Sequence, residues 1–157
     1  MDFCATSLGL VYLPRKNFGV FVNRILIAED RESMRTALKA VFMMRPEWSV
    51  CGEAQDAQEA VTKAKELSPD LIVMDFKMHH SDGLTAASEI AKFMPSVPIV
   101  MFTLYKTDEL EAAARQVGVR CVIGKEDGVH TLLRAMEAEM RTRDRQALNR
   151  PVNPPQP

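Results

Sequence analysis

Five polar residues of unlike chemistry stand at the ends of short apolar runs in this 157-residue chain. Glu29 and Asp30 follow Ile25-Leu26-Ile27-Ala28, and Asp75 follows Leu71-Ile72-Val73-Met74. Thr103 closes the run that starts at Ile99, and Lys125 comes just after Cys121-Val122-Ile123. Gathered in one place, three carboxylates repel one another until a proton or a cation relieves them. A hard divalent ion that prefers oxygen, Mg²⁺ foremost, meets that need and keeps part of its water shell. Such an ion draws electron density from a phosphoryl group, while Lys125 offers a second positive charge and Thr103 a hydrogen bond. Asp75 is then a carboxylate nucleophile able to attack phosphorus in line and form an acyl phosphate. The charge and acceptor oxygens so added would draw the Thr103 hydroxyl and its loop inward.

The elements that must bring these residues together are readable from hydrophobic period. The run at Ile25–Ala28 predicts a buried strand, and Met34, Leu38, Val41 and Phe42 a helix that Pro46 halts. Trp48 to Gly52 predicts a second strand. Asp56 and Glu59 form a D-x-x-E capping box before a helix whose inner face is Ala57, Ala60, Val61, Ala64 and Leu67. Leu71–Met74 is apolar throughout, as expected of a strand covered on both faces. A third helix presents Leu84, Ala87, Ile90, Ala91 and Met94; Pro98 introduces a strand from Ile99 to Phe102. Thr107 caps a helix carrying Leu110, Ala113, Ala114 and Val117, with Gly118 as its left-handed end. Cys121–Ile123 is a fifth strand, and Val129, Leu132, Leu133, Met136 and Met140 mark a last helix. The methionines sit mostly at inward positions, which suits core filling. Five strands alternating with five helices imply a doubly wound α/β domain on a parallel sheet. Ligands of such sheets bind outside the carboxyl ends of the strands, where the five polar residues converge.

Composition narrows the function classes. Apolar residues are 46% of the chain, enough for a globular core. Lys plus Arg number 20 against 21 Asp plus Glu, so no overall field favours nucleic acid or an anionic membrane. No apolar run is long enough to span a bilayer, and Asp2 stands where a secretory leader would be basic. Three unpaired cysteines, Cys4, Cys51 and Cys121, fit reduced thiols and a cytoplasmic location.

From about Asn23 to Met140 the chain resembles the receiver domains of two-component response regulators. The stretches ILIAED, PDLIVMDFKM, SDGL, VPIVMFTLY and VIGKEDG carry the likeness. They most resemble receivers of the group that usually bears a LuxR-type helix-turn-helix domain. The resemblance implies a flavodoxin-like five-stranded sheet of order 2-1-3-4-5 with helices on both faces. It implies a Mg²⁺ site made by Glu29, Asp30, Asp75 and the backbone carbonyl of Lys77. It casts Asp75 as phosphoacceptor, Thr103 as the switch hydroxyl and Lys125 as the lysine that contacts the phosphoryl group. Implied partners are a histidine kinase or histidine phosphotransfer protein and a downstream protein target, with a phosphorylation-dependent homodimer as a further option. Catalysis is expected only on the chain itself. Cys51 and Cys121 would lie on opposite outer strands, too far apart to bridge.

The expected organisation is an irregular extension over residues 1–22, a receiver over 23–141 and a disordered tail of prolines and arginines over 142–157. Val22-Asn23-Arg24-Ile25 reads as a natural start, so the leading segment is expected to be either a mis-assigned start or a dispensable extension. No helix-turn-helix pattern follows Met140. Some positions depart from the family pattern. Glu29 stands where relatives often carry Asp, and His79 where a proline is common; His79 and His80 are read as surface loop residues. Val122 replaces a Tyr or Phe that swings inward with Thr103, and Tyr105 is the aromatic placed to substitute or to shield the phosphoryl group. These departures motivate a second reading, an interaction module that keeps the fold without the switch. An aspartate-nucleophile phosphohydrolase of the haloacid dehalogenase type needs a second Asp two residues after the first, and Lys77 stands there. Glu29-Asp30-Arg31-Glu32 replaces the Gly-rich loop of a nucleotide-binding enzyme.

Overall fold

A computed structural model describes residues 22–79 and 81–148. The leading segment to residue 21, His80 and residues 149–157 lie outside the described residues, and with them most of the expected extension and the proline tail. Among the described residues, seven strands and five α-helices follow in chain order: β1 (Asn23–Ala28), α1 (Glu32–Met43), β2 (Trp48–Ala54), α2 (Ala57–Leu67), β3 (Leu71–Met74), β4 (Lys77–Met78), β5 (Ser81–Asp82), α3 (Gly83–Phe93), β6 (Ile99–Thr103), α4 (Asp108–Gln116), β7 (Cys121–Gly124) and α5 (Gly128–Leu148). Lys125–Asp127 forms a short 3₁₀ turn between β7 and α5.

Five strands form one parallel sheet in the order β2-β1-β3-β6-β7. Counting only those five, this is the expected 2-1-3-4-5. Alternate side chains of each strand point to opposite faces, and two cores result. Ile25 and Ile27 of β1 pack with Leu38 and Phe42 of α1 and with Leu132, Leu133 and Met136 of α5. Leu26 and Ala28 pack on the other face with α2, α3 and α4. On the first face Trp48 meets Phe42 edge-on, ring centroids 5.7 Å apart. Cys51 and Cys121 lie on β2 and β7, the two edges of the sheet, as free thiols.

Local signals account for most helix ends. Asp56 accepts the Glu59 amide at 2.8 Å and Thr107 accepts that of Leu110 at 3.1 Å, satisfying amides that an N-terminus leaves free. Glu59 reaches back to the amide of Gln55 at 2.7 Å, one residue earlier than a D-x-x-E box implies. Gly118, with φ of 96°, ends α4 as expected.

Three features differ from the expectation. The two-residue strands β4 and β5 pair antiparallel, Lys77 with Asp82 and Met78 with Ser81, a hairpin too short to show a period. Met43 and Met44 end α1 facing solvent, although most methionines are inward. Helix α5 continues seven residues past the boundary at 141. Nothing in Arg141–Leu148 breaks a helix, and Arg143 ties the last turns to the sheet, donating to the Asp70 carbonyl at 2.8 Å and to Asn23 Oδ1 at 3.3 Å. Among the described residues no helix is long and apolar enough to cross a membrane.

Candidate functional site

Register brings the strand ends level. Ala28 pairs with Met74, Met74 with Met101, and Thr103 with Gly124. The next residues along therefore emerge on one edge: Glu29-Asp30 after β1, Asp75 after β3 and Lys125 after β7. The Asp75 amide donates to the Ala28 carbonyl at 2.8 Å, which sets β3 against β1 at the point where both turn polar. Gly83 lets the following hairpin fold back tightly. A Cβ there would lie 2.2 Å from the Asp75 carbonyl oxygen.

Lys125 is the centre of the constellation. Its ammonium donates to Glu29 Oε2 at 2.5 Å and to Asp75 Oδ2 at 2.6 Å. All three side chains are buried, Glu29 only 2% exposed and Asp75 6%. One carboxylate oxygen from each of Glu29, Asp30 and Asp75 lies within 4.8 Å of the others. Among the described residues Asp75 Oδ1 has no hydrogen-bond partner although it is buried, which is costly for a carboxyl oxygen. Three hard oxygen donors, one of them orphaned, fit a divalent cation of the Mg²⁺ kind.

Burial pushes the Glu29 carboxyl above its ordinary range, opposed by the bond and the charge of Lys125. Burial also works against ionisation of Asp30, but hydrogen bonds shared with Glu29 and His79 outweigh it and hold that carboxyl low. His79 gives Asp30 Oδ2 both its backbone amide, at 3.2 Å, and its ring Nδ1, at 2.7 Å. His79 is thus exposed, as read from sequence, yet it touches Asp30.

The remaining expected residues are placed as follows. Thr103 is fully buried, and its Oγ1 accepts the Tyr105 amide at 3.3 Å. Tyr105 is 55% exposed on the rim of a cleft of about 390 Å³ that Asp30, Asp75, Lys77 and His79 also line. Lys77 itself is exposed on β4, its ammonium 4.9 Å from the centre of the Phe76 ring. Val122 is buried opposite Met101, and a smaller cleft of about 200 Å³ opens beside it, lined also by Ala114 and Cys121. Arg35 was not singled out from sequence. It donates to the carbonyls of Glu29 and Asp30 from inside the fold. Its one signal was position, an arginine three residues before Leu38 and seven before Phe42 on the inward stripe of α1.

Comparison with known proteins gives the family. The family model for the response regulator receiver domain matches residues 25–137. The transcriptional regulatory protein PdtaR of Mycobacterium tuberculosis is 41% identical over 115 residues, 73% of this chain and 55% of that protein. The response regulator domain of Thermotoga maritima CheB superposes with a TM-score of 0.69 at 31% identity, covering 85% of this chain and 99% of that one. A LuxR-family response regulator from Aurantimonas sp. SI85-9A1 gives a TM-score of 0.74 at 26% identity, covering 77% and 86%. The chain spans about half the length of the curated relatives first matched. With the strand order, the acidic strand ends and these matches in agreement, the chain belongs to the response regulator receiver family of two-component systems.

Proposed function

We propose that Asp75 accepts a phosphoryl group from a histidine kinase or histidine phosphotransfer protein in a Mg²⁺-dependent step. The observation that carries this is a buried Asp75 with one oxygen 2.6 Å from an ammonium and the other without a partner among the described residues, beside two further carboxylates. Carboxylates of Glu29, Asp30 and Asp75, with the Lys77 carbonyl, would hold the ion. The ion supplies charge neutralisation for the incoming phosphoryl oxygens. An Asp75 oxygen attacks phosphorus while the phosphorus–nitrogen bond of the donor breaks; the electron pair leaves with the imidazole, which takes up a proton. Lys125 passes from the Asp75 carboxylate to a phosphoryl oxygen and neutralises part of its charge. Thr103 donates its hydroxyl proton to another phosphoryl oxygen, pulling the loop of Leu104 and Tyr105 inward. Tyr105, on the cleft rim, shields the acyl phosphate from water. The output is a contact with a downstream protein, or with a second copy of the chain, inside the cytoplasm; near-neutral net charge does not favour nucleic acid.

Incubation with acetyl phosphate and Mg²⁺, followed by intact mass measurement, tests the reading. The expected result is one phosphate-sized gain that disappears in Asp75→Ala and with a chelator. Val122, packed in the core where relatives carry a swinging ring, favours a second reading, a module that binds partners without switching. Absence of any mass gain would select that second reading, and sustained phosphate release over many turnovers would mark an enzyme instead.

A further inference from the structure

Arg35 is a buried cation to which the phosphoryl chemistry assigns no part. It is 7% exposed, on α1, beneath the loop that leaves β1. Its Nη1 donates to the Glu29 carbonyl at 2.8 Å and to the Asp30 carbonyl at 2.9 Å, and its Nε lies 3.6 Å from Glu53 Oε2 on β2. The Glu29 amide is meanwhile held by the Ala54 carbonyl at 3.0 Å. Both peptide planes of Glu29, and the one after Asp30, are therefore fixed from behind. The side chains are tied separately, Glu29 by Lys125 and the Arg31 amide and Asp30 by His79.

We infer that Arg35 is a positioning residue for the divalent-cation site, holding the backbone of Glu29 and Asp30 so that their carboxylates stay beside Asp75. The inference rests on the function proposed above. Adjacent carboxylates repel, and a loop not clasped from below would relieve that repulsion by swinging them apart into water. Binding a cation would then require reordering the loop, which weakens affinity. A guanidinium suits such a clasp because it is planar, always charged and rich in donors, and its alkyl stem packs in the apolar stripe.

The sign of the effect separates positioning from plain electrostatics. Removing a nearby positive charge makes the site more negative, so an arginine acting only through charge would, when lost, leave Mg²⁺ bound more tightly. A positioning arginine, when lost, leaves it bound more weakly. Calorimetric titration of the whole chain with Mg²⁺ reads this directly. Arg35→Met is expected to raise the Mg²⁺ dissociation constant by about tenfold or more, the usual cost of losing an outer-shell partner, and Arg35→Lys to restore part of it. Arg143→Met is the control, because Arg143 makes a like clasp on the Asp70 carbonyl away from the acidic edge; its affinity should stay within about twofold of the unaltered chain. Unchanged or tighter binding in Arg35→Met, or an equal loss in Arg143→Met, overturns the inference. If Arg35→Met does not fold, Arg35→Lys decides, with a loss of about threefold expected and no loss overturning it. An unaltered chain that binds no Mg²⁺ would instead overturn the function proposed for the site, and this role with it.

Discussion

Replacing Lys125 by Met removes one cation from between two buried carboxylates and leaves the alkyl stem in place. The ammonium is 2.5 Å from Glu29 Oε2 and 2.6 Å from Asp75 Oδ2, and neither partner can turn to water. Deleting one member of a buried ion pair costs about 3–5 kcal/mol, because the remaining charge is left uncompensated. A domain of this size has roughly 5–15 kcal/mol of stability, so the loss is a large fraction of the total and is read directly in the unfolding midpoint. With a urea slope of about 1.5 kcal/mol per molar, the midpoint should fall by about 2–3 M at pH 8 in chelator-treated buffer. The loss should shrink with acid. Burial already raises the Glu29 carboxyl, and Lys125 opposes the rise more than the Arg31 amide does. Without the lysine it rises further. A carboxyl raised in the folded state contributes stability that is fully present below its unfolded value and disappears as pH climbs through its folded value. The variant should therefore be markedly closer to the unaltered chain at pH 5 than at pH 8, and Glu29→Gln in the same chain should recover much of the deficit at pH 8. A midpoint shift that is the same at both pH values would refute the reasoning, as would a double variant no more stable than Lys125→Met alone.

Three further outcomes are expected. Gly83→Ala places a methyl 2.2 Å from the Asp75 carbonyl oxygen, so the β3–β4 turn must open; urea titration should show a loss of about 2–3 kcal/mol, and acyl-phosphate formation should fall with it. Tyr105→Ala removes the exposed ring at the cleft mouth and should shorten the lifetime of phosphorylated chain, followed by mass after donor removal; an unchanged lifetime leaves Tyr105 a plain surface residue. Burial, with Glu139 and Glu111 adding to it, pushes the Cys121 thiol from 9.0 up to about 11. Alkylation of Cys121 at pH 8 should thus run about a hundredfold slower than for an ordinary thiol, since the thiolate is the reactive form. The stability held in that protonated thiol is complete below pH 9 and fades as pH rises toward 11. Fast, stoichiometric labelling at pH 8 would contradict the burial described for β7.

The strands and most helix ends were legible because their causes are local. Ile25–Ala28 and Leu71–Met74 are apolar without interruption, and Thr107 and Gly118 act on amides and carbonyls only a few residues away. Five such strands and a right-handed crossover rule leave few topologies, so the polar residue after each strand had a foreseeable address. Two boundaries were missed for want of a local sign. The β4–β5 hairpin is two residues a side, and α5 runs on to Leu148 because Arg143 finds Asp70 and Asn23, both far away in the chain.

By itself, then, the amino-acid order determined the βα alternation, the edge on which Glu29, Asp30, Asp75, Thr103 and Lys125 emerge, and the chemistry their side chains can perform. Only the tertiary structure decided that Lys125 bridges Glu29 and Asp75, that His79 turns its ring onto Asp30, and that Arg35 clasps two carbonyls from below. Periodicity and capping act over a few residues. The bridge joins residues separated by 96 and 50 positions in the chain, and its lengths follow from strand register and from burial that takes all three charges out of water.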